Sequence, residues 1–471
     1  MFLSSVVSAY GQIDSTGRSL DEIERISFRA GISPADLSGI EMKNVSPKTI
    51  KNFKSSGEIS LSGTWLLAEG LDSIGEEAII AKVPGSVHSA LFDAGLIPDP
   101  TIGMNDSIAE KQSYKNWWYR RKFHYDKNWD KVMLSFDGVA NKCTVYLNGK
   151  KLGSHEGMMG GPDYLLGDEL KNGENELLVY LEGIPNPVPG PGANPSWVNT
   201  VVANCVYGWH YVKIPSLGIW ADVRLKEVPK VAIQHPFIFT RNLDGSMRLV
   251  VNIPDEHPAA MISLNVRPKN FDGKQHAYRC DVSGLKGDVA LDFKIDDPRL
   301  WWPNGVGEQP LYTATVTYDA GNGLHDVKTL NFGVRTIEMQ PVGGEERKDV
   351  YNWKFVVNGR PICIKGANWC LIDYMLDLSP EHYSRFLGAA KEQNLNLLRA
   401  WGGGLVETDT FYDMCDEMGL MVMQEWPTAW NSHLSQNFDI LKETIDRNTY
   451  RIRSHPSLVM WAGGNESSDP F

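Results

Sequence analysis

Cysteine is scarce in this chain. Six occur among 471 residues, at Cys143, Cys205, Cys280, Cys363, Cys370 and Cys415, with no C-x-x-C pair. That spacing excludes a disulfide framework. There is also no H-E-x-x-H and no Cys/His cluster at ligand spacing, so the sequence implies no metal. No apolar run approaches the roughly 20 residues that span a bilayer, and no membrane partner is expected. Basic residues are the minority: 46 Lys plus Arg against 58 Asp plus Glu leave a net charge of −12. Nucleic acid requires a basic surface, so it is not an expected partner either. Charged residues at 22% and hydrophobic residues at 42% are ordinary globular proportions and exclude long disorder or a fibrous repeat. What is plentiful is the aromatic ring. Fifteen Trp and 17 Tyr supply flat amphipathic surfaces that suit cores and also suit sugars.

At about 100–200 residues per domain, the length predicts three or four domains. Residues 1–55 read as an N-terminal extension with one short helix, from the capping box Ser19-Leu20-Asp21-Glu22 to Gly31. Met1 to Gly11 lacks the basic and long apolar regions of a signal peptide. Two glycosylation sequons, at Asn44 and Asn105, leave the compartment open among secreted, periplasmic, lysosomal-type and others. Residues 56–229 read as a β-sandwich: short alternating runs such as Trp117 to Phe123, Val132 to Phe136 and Leu177 to Leu181, separated by turns such as Asn148-Gly149. Residues 230–340 form a second strand-rich block of immunoglobulin-like size without a Cys…Trp…Cys signature. From 341 to 471 the pattern alternates strand and helix: strands at Ile362 to Lys365, Leu395 to Trp401, Leu420 to Met423 and Leu458 to Trp461, helices between them. That is the grammar of a parallel sheet with crossover helices.

The residues that end or directly follow those four strands carry the chemistry. They are Asn368-Trp369, then Arg399-Ala400-Trp401-Gly402-Gly403-Gly404, then Gln424-Glu425-Trp426, then Gly463-Gly464-Asn465-Glu466. In a barrel of parallel strands these ends surround one mouth, where active sites sit. Arg399 and Trp401 are two apart and can share a direction, offering a hydrogen-bond fork and a stacking face. Glu466 follows a nearly apolar strand. A carboxyl beside apolar surface resists ionisation and can serve as a general acid. Asn465 can hydrogen-bond a hydroxyl. The glycine triplet matches no phosphate-binding loop and reads as a tight turn.

Ser454-His455-Pro456-Ser457 to Trp461-Ala462-Gly463-Gly464-Asn465-Glu466 resembles glycoside hydrolase family 2. The Arg399 to Gly404 run, Phe411 to Gly419, Lys365 to Trp369, Leu300-Trp301-Trp302-Pro303-Asn304-Gly305 and Val83-Pro84-Gly85-Ser86-Val87 are similar to its β-mannosidase branch. The resemblance spans Gly63 to Glu466. It implies a jelly-roll sandwich, an immunoglobulin-like sandwich and the first half of a (β/α)8 TIM barrel. It implies Glu466 as acid/base and Asn465 as a sugar ligand, with Arg399, Trp401 and Glu425 positioning the terminal sugar, and no cofactor. Retaining enzymes place a second carboxylate about 5–5.5 Å from the first. In this family it ends barrel strand seven, whereas this chain stops at Phe471 just past strand four. The expectation is therefore a partner in the form of the barrel's C-terminal half. β-Mannosidases resemble one another in a Trp-Asp-Trp segment at the pocket. Here Trp209-His210-Tyr211 matches it, and His210 replaces an acceptor of two hydrogen bonds by a neutral donor–acceptor. The activity implied is retaining hydrolysis of terminal β-mannosides, the substrate being an oligosaccharide or glycoside. An exo-β-glucosaminidase, an endo-β-mannosidase acting on N-glycan cores, and a non-catalytic carbohydrate-binding protein stay open as alternatives.

Overall fold

The computed structural model describes residues 38–70, 77–140, 142–184, 214–215, 217–342, 353–429 and 436–466. The proposed helix near Ser19, and Trp209, His210 and Tyr211, lie outside the described residues.

The first sandwich packs a six-stranded sheet on a four-stranded one. The central strand Gly173–Glu182 shows why: it buries every second residue, Asn175, Leu177, Val179 and Leu181, as a half-buried strand must. Trp65, Tyr119, Phe136 and Val223 from both sheets complete this core. The second sandwich pairs a four-stranded with a five-stranded sheet around Leu249, Leu264, Leu291 and Val316. Part of the stretch read as an extension belongs to it. Ile40–Glu41 adds a parallel edge strand beside Gly287–Lys294, and Lys43–Asn44 pairs with His276–Asp281. Met42 between them is buried in the core, so alternation within five residues ties both sheets together.

A three-stranded antiparallel sheet, Ile337–Pro341, Trp353–Val357 and Arg360–Ile362, then leads into the last region. This corrects the first-strand assignment. Ile362 ends that sheet by pairing with Phe355, and the first parallel strand starts only at Gly366. The short run before Lys365 has the same apolar composition as a parallel strand, which is why composition alone misplaced it.

The last region is a parallel four-stranded sheet in sequential order. Strand β1 is Gly366–Trp369, helix α1 Pro380–Glu392, β2 Leu397–Ala400, α2 Asp409–Met418, β3 Met421–Glu425, α3 Phe438–Ile452 and β4 Leu458–Ala462. Ser379 caps α1, accepting from the His382 N–H, with Pro380 at the first position. Thr408 caps α2, and Gly419 ends it at φ +75°, a conformation glycine adopts without strain.

Two contacts lock the three units together. The first sandwich sends Met158 and Met159 into the barrel's helix-side core, where they join Trp401, Val406 and Trp426. Met159 accepts from Asn448 Nδ2 at 3.0 Å, and Trp220 Nε1 donates to the Met158 carbonyl at 2.9 Å. The second sandwich docks at the opposite, N-terminal end of the strands. There Trp301 is fully buried and donates to the Asp416 carbonyl at 2.8 Å. Asn304 bonds the Lys391 and Leu395 carbonyls, and Arg335 bonds those of Pro456 and Leu458. Among the described residues no helix is long and apolar enough to cross a membrane.

Candidate active site

The parallel register places the polar groups. Asn368 and Arg399 are partners across β1 and β2, so they share a face one residue before the strand tips. Leu398 and Ala400 take the other face and pack in the helix-side core. The Arg399 guanidinium therefore points along the inner face toward the mouth. Its Nε and Nη2 donate to Glu425 Oε1 at 2.8 and 2.7 Å. Nη2 also donates to Asn465 Oδ1 at 2.7 Å, and Nη1 to Asn368 Oδ1 at 3.2 Å. One fork thus ties all four strand ends, a task that needs planar, fixed donors and that lysine cannot perform.

Glu425 is the buried carboxylate of this mouth, its side chain wholly inaccessible. Burial pushes its carboxyl above the ordinary range, and Arg399 and the Gly402 N–H pull it back. The Glu466 charge adds to the upward push, which places the two acids within electrostatic reach of each other. Gly402 donates to Glu425 Oε2 at 2.8 Å. A Cβ on Gly402 would lie 2.6 Å from the Trp426 carbonyl, and one on Gly403 2.1 Å from the Trp401 ring. The glycine triplet is more than a turn: its lack of side chains lets a backbone donor reach the buried acid.

The Gly463-Gly464 turn is shaped in the same way. Thr428 Oγ1 donates to the Gly463 carbonyl at 2.6 Å, and a Cβ on Gly464 would lie 1.9 Å from Thr428 Oγ1. The turn is pressed onto the loop after β3 and delivers Asn465 to Arg399. Asn465 is buried at 3% exposure. With its carbonyl engaged by Arg399, its NH2 is oriented as a donor. Trp426 and Trp461 stack on each other, rings 5.0 Å apart and 16° from parallel.

Two expectations are corrected. Glu466 is exposed, with a left-handed φ of +51°, so it does not sit against apolar surface; the acid in that setting is Glu425. The Trp401 ring is buried at 4% in the core shared with the first sandwich, rather than offering a face beside Arg399. Strand β2 ends at Ala400, so the alternation that relates Arg399 and Trp401 no longer holds there.

Sequence reasoning missed Glu407, a wholly buried carboxyl behind β1. Burial pushes it up to about 7 against the donors Tyr383 and Trp369. Its signal was an acid four residues before the helical apolar run, a pattern that reads equally as a capping residue. A second acidic group, Asp413, Asp416 and His455, holds its ligand atoms within 4.8 Å of one another. It lies at the N-terminal end of β4, away from the mouth. Asp416 Oδ2 meets His455 Nδ1 at 2.6 Å and its Oδ1 accepts the Ser457 N–H at 2.9 Å. Against the downward pull of burial, Asp416 raises the His455 pKa and so favours its cationic form, which would itself supply the positive charge, and the cluster reads as a structural latch. A cleft of about 960 Å3 between the first sandwich and the barrel helices is also separate from the mouth; Arg224, Lys226, Arg447 and Arg451 line it, whereas Arg399, Glu425, Asn465 and Glu466 do not.

Comparison with known proteins bears on this arrangement. Residues 62–220 match the glycosyl hydrolase 2 galactose-binding domain-like family. Residues 231–335 match glycosyl hydrolases family 2, and residues 390–470 its TIM barrel domain. A β-mannosidase of Capra hircus is 30% identical over 451 residues, covering 87% of this chain and 50% of that protein. A mannosylglycoprotein endo-β-mannosidase of Lilium longiflorum is 30% identical over 461 residues, covering 88% and 47%. The crystal structure of a β-D-mannosidase from Dictyoglomus thermophilum superposes with a TM-score of 0.73 at 30% identity, covering 87% of this chain and 52% of that one. The chain spans about half the length of these relatives. Three consecutive domain matches in the order sandwich, sandwich, parallel barrel strands place it: the chain belongs to glycoside hydrolase family 2 and is similar to the β-mannosidases of that family.

Proposed function

We propose that this protein is the sandwich-and-half-barrel portion of a retaining β-glycosidase that removes terminal β-mannosyl residues from oligosaccharides or glycosides. The observation that carries the reading is the mouth itself. A single Arg399 fork orders Asn368, Glu425 and Asn465 at adjacent strand ends, with Glu466 directly after Asn465 and exposed to incoming substrate. Glu466 is suited to protonate the leaving oxygen and then to deprotonate water. Asn465 and Arg399 are suited to read sugar hydroxyls. The second carboxylate is proposed to come from further barrel strands that pair with the edges β1 and β4, because the chain matches only about half of its relatives' length.

The test is a panel of 4-nitrophenyl β-glycosides: mannoside, glucosaminide, galactoside and glucuronide. It is run on this chain, alone and joined to the remaining reading frame, with proton NMR of the first-formed anomer. The expected result is preference for the mannoside with retention, appearing only when the barrel is complete. Preference for the glucosaminide would reassign the substrate. Sugar binding without turnover in the completed protein would reassign it as a carbohydrate-binding protein.

A further inference from the structure

Glu407 lies just before the cap of α2, and its carboxylate is buried at 1% exposure. It accepts the Trp369 indole N–H at 2.9 Å and the Tyr383 hydroxyl at 2.5 Å. Arg451 approaches from α3 and donates to the Glu407 backbone carbonyl at 2.6 Å. Phe411 and Tyr412, both fully buried, complete the surroundings. An apolar side chain here would leave the buried indole N–H and the buried hydroxyl without an acceptor. What the carboxyl adds is direction: it fixes one indole edge.

That indole belongs to the last residue of β1. The Trp369 carbonyl accepts the Trp401 N–H at 3.0 Å. The next residue, Gly402, gives its N–H to Glu425. On the other side of Trp369, Asn368 accepts from Arg399. Both arms of the mouth lattice therefore run through Trp369, and Met159 braces the same loop by accepting from the Val406 N–H at 3.5 Å.

We propose that Glu407 is a positioning residue for the mouth: by holding the Trp369 indole it sets the height of the β1 end against the β2 loop, and so places the Gly402 N–H and the Arg399 fork on Glu425 and Asn465. The activity readout rests on the glycosidase reading; the structural readout stands without it.

The experiment compares Glu407→Gln, Glu407→Ala and Glu407→Asp with the parent chain. Gln keeps an acceptor for the indole and turns its NH2 to the Tyr383 oxygen. Asp is one methylene short of reaching both donors. The first readout is the Trp369 indole and Gly402 amide resonances, in protein labelled with 15N at Trp and Gly. Ala and Asp are expected to move both, and Gln to leave Gly402 in place. The second is kcat and KM on 4-nitrophenyl β-mannoside in the complete protein. Ala and Asp are expected to lose at least tenfold in kcat/KM, mainly through KM, and Gln to restore it to within threefold. A Gly402 amide unmoved in Ala and Asp overturns the proposal, as does unchanged kcat/KM in either variant while it remains folded. If Ala does not fold, Asp carries the same test. If the parent hydrolyses none of the glycosides, the glycosidase reading fails, and the resonances alone decide the role of Glu407.

Discussion

Arg399→Met removes the fork while keeping its aliphatic reach, and it leaves Glu425 buried without its cation. Removing one partner of a buried ion pair costs about 3–5 kcal/mol when the remaining charge must stay charged. Glu425 has an escape, which is to take up a proton. At pH 7 that costs about 1.36 kcal/mol for each unit above an ordinary Glu value of about 4.3, or roughly 4 kcal/mol. At pH 5 it costs only about 1 kcal/mol. The loss is therefore capped near 4 kcal/mol at pH 7 and shrinks to about 1 kcal/mol at pH 5. The sign follows from linkage: the variant's folded state holds a proton that the unfolded chain releases, so its stability falls as pH rises. The Gly402 N–H still serves Glu425 Oε2 and tempers the effect without reversing it. The assay is urea unfolding at pH 5 and pH 7, followed by hydrogen exchange on peptides covering β3. Equal losses at the two pH values, or a loss below about 1 kcal/mol at pH 7, would refute the claim that Arg399 supports a buried ionised Glu425.

Three further outcomes follow from the same structure. Burial pulls the His455 pKa down, but Asp416, with Asp413 and Asp409, more than offsets this and raises it. The latch therefore stabilises fully below about pH 6.5 and weakens as pH rises through the raised value, and Asp416→Asn should flatten that decline in Tm. Glu407, pushed by burial up to about 7, faces Tyr383, Trp369, Arg451, Cys370, Tyr412 and Cys415. Its favourable contribution is complete below about pH 4.3 and is lost by roughly 4 kcal/mol as pH climbs past 7, so Glu407→Gln should remove that slope from a Tm–pH series. Met159→Ala deletes a buried side chain at the sandwich–barrel junction and should cost about 2–5 kcal/mol. It should expose the β2–α2 loop to limited proteolysis before either sandwich is cut; a protection pattern like the parent's would exclude a bracing role.

Much of this architecture was legible because it rests on local periodicities. The alternation in Gly173–Glu182 and the Ser379-Pro380 cap translate directly into a strand and a helix start. Arg399, Glu425, Asn465 and Glu466 were legible as a group because each lies at or just past the C-terminal end of an apolar strand of a parallel sheet. What stayed hidden depends on distant partners. Which of the two acids is buried is set by the Arg399 fork and the Gly402 amide, both far from Glu466 in sequence. Trp401 looks like a binding platform until Met158 and Met159, some 240 residues earlier, cover it. The edge strands at Ile40 and Lys43 are two residues long, too short for any periodicity to register. Glu407 became meaningful only through the indole of Trp369.

The central claim is that Glu466 gives and takes the proton at this mouth. It is tested most directly by Glu466→Ala in the complete protein, comparing 2,4-dinitrophenyl β-mannoside with an alkyl β-mannoside. Loss of a general acid typically costs about 100- to 10,000-fold where the leaving group needs protonation. Glu466→Ala is expected to show a loss of that size in kcat/KM on the alkyl substrate and a far smaller one on the dinitrophenyl substrate. Added azide should accelerate turnover and yield a β-mannosyl azide. Equal losses on both substrates, with no azide product, would contradict it.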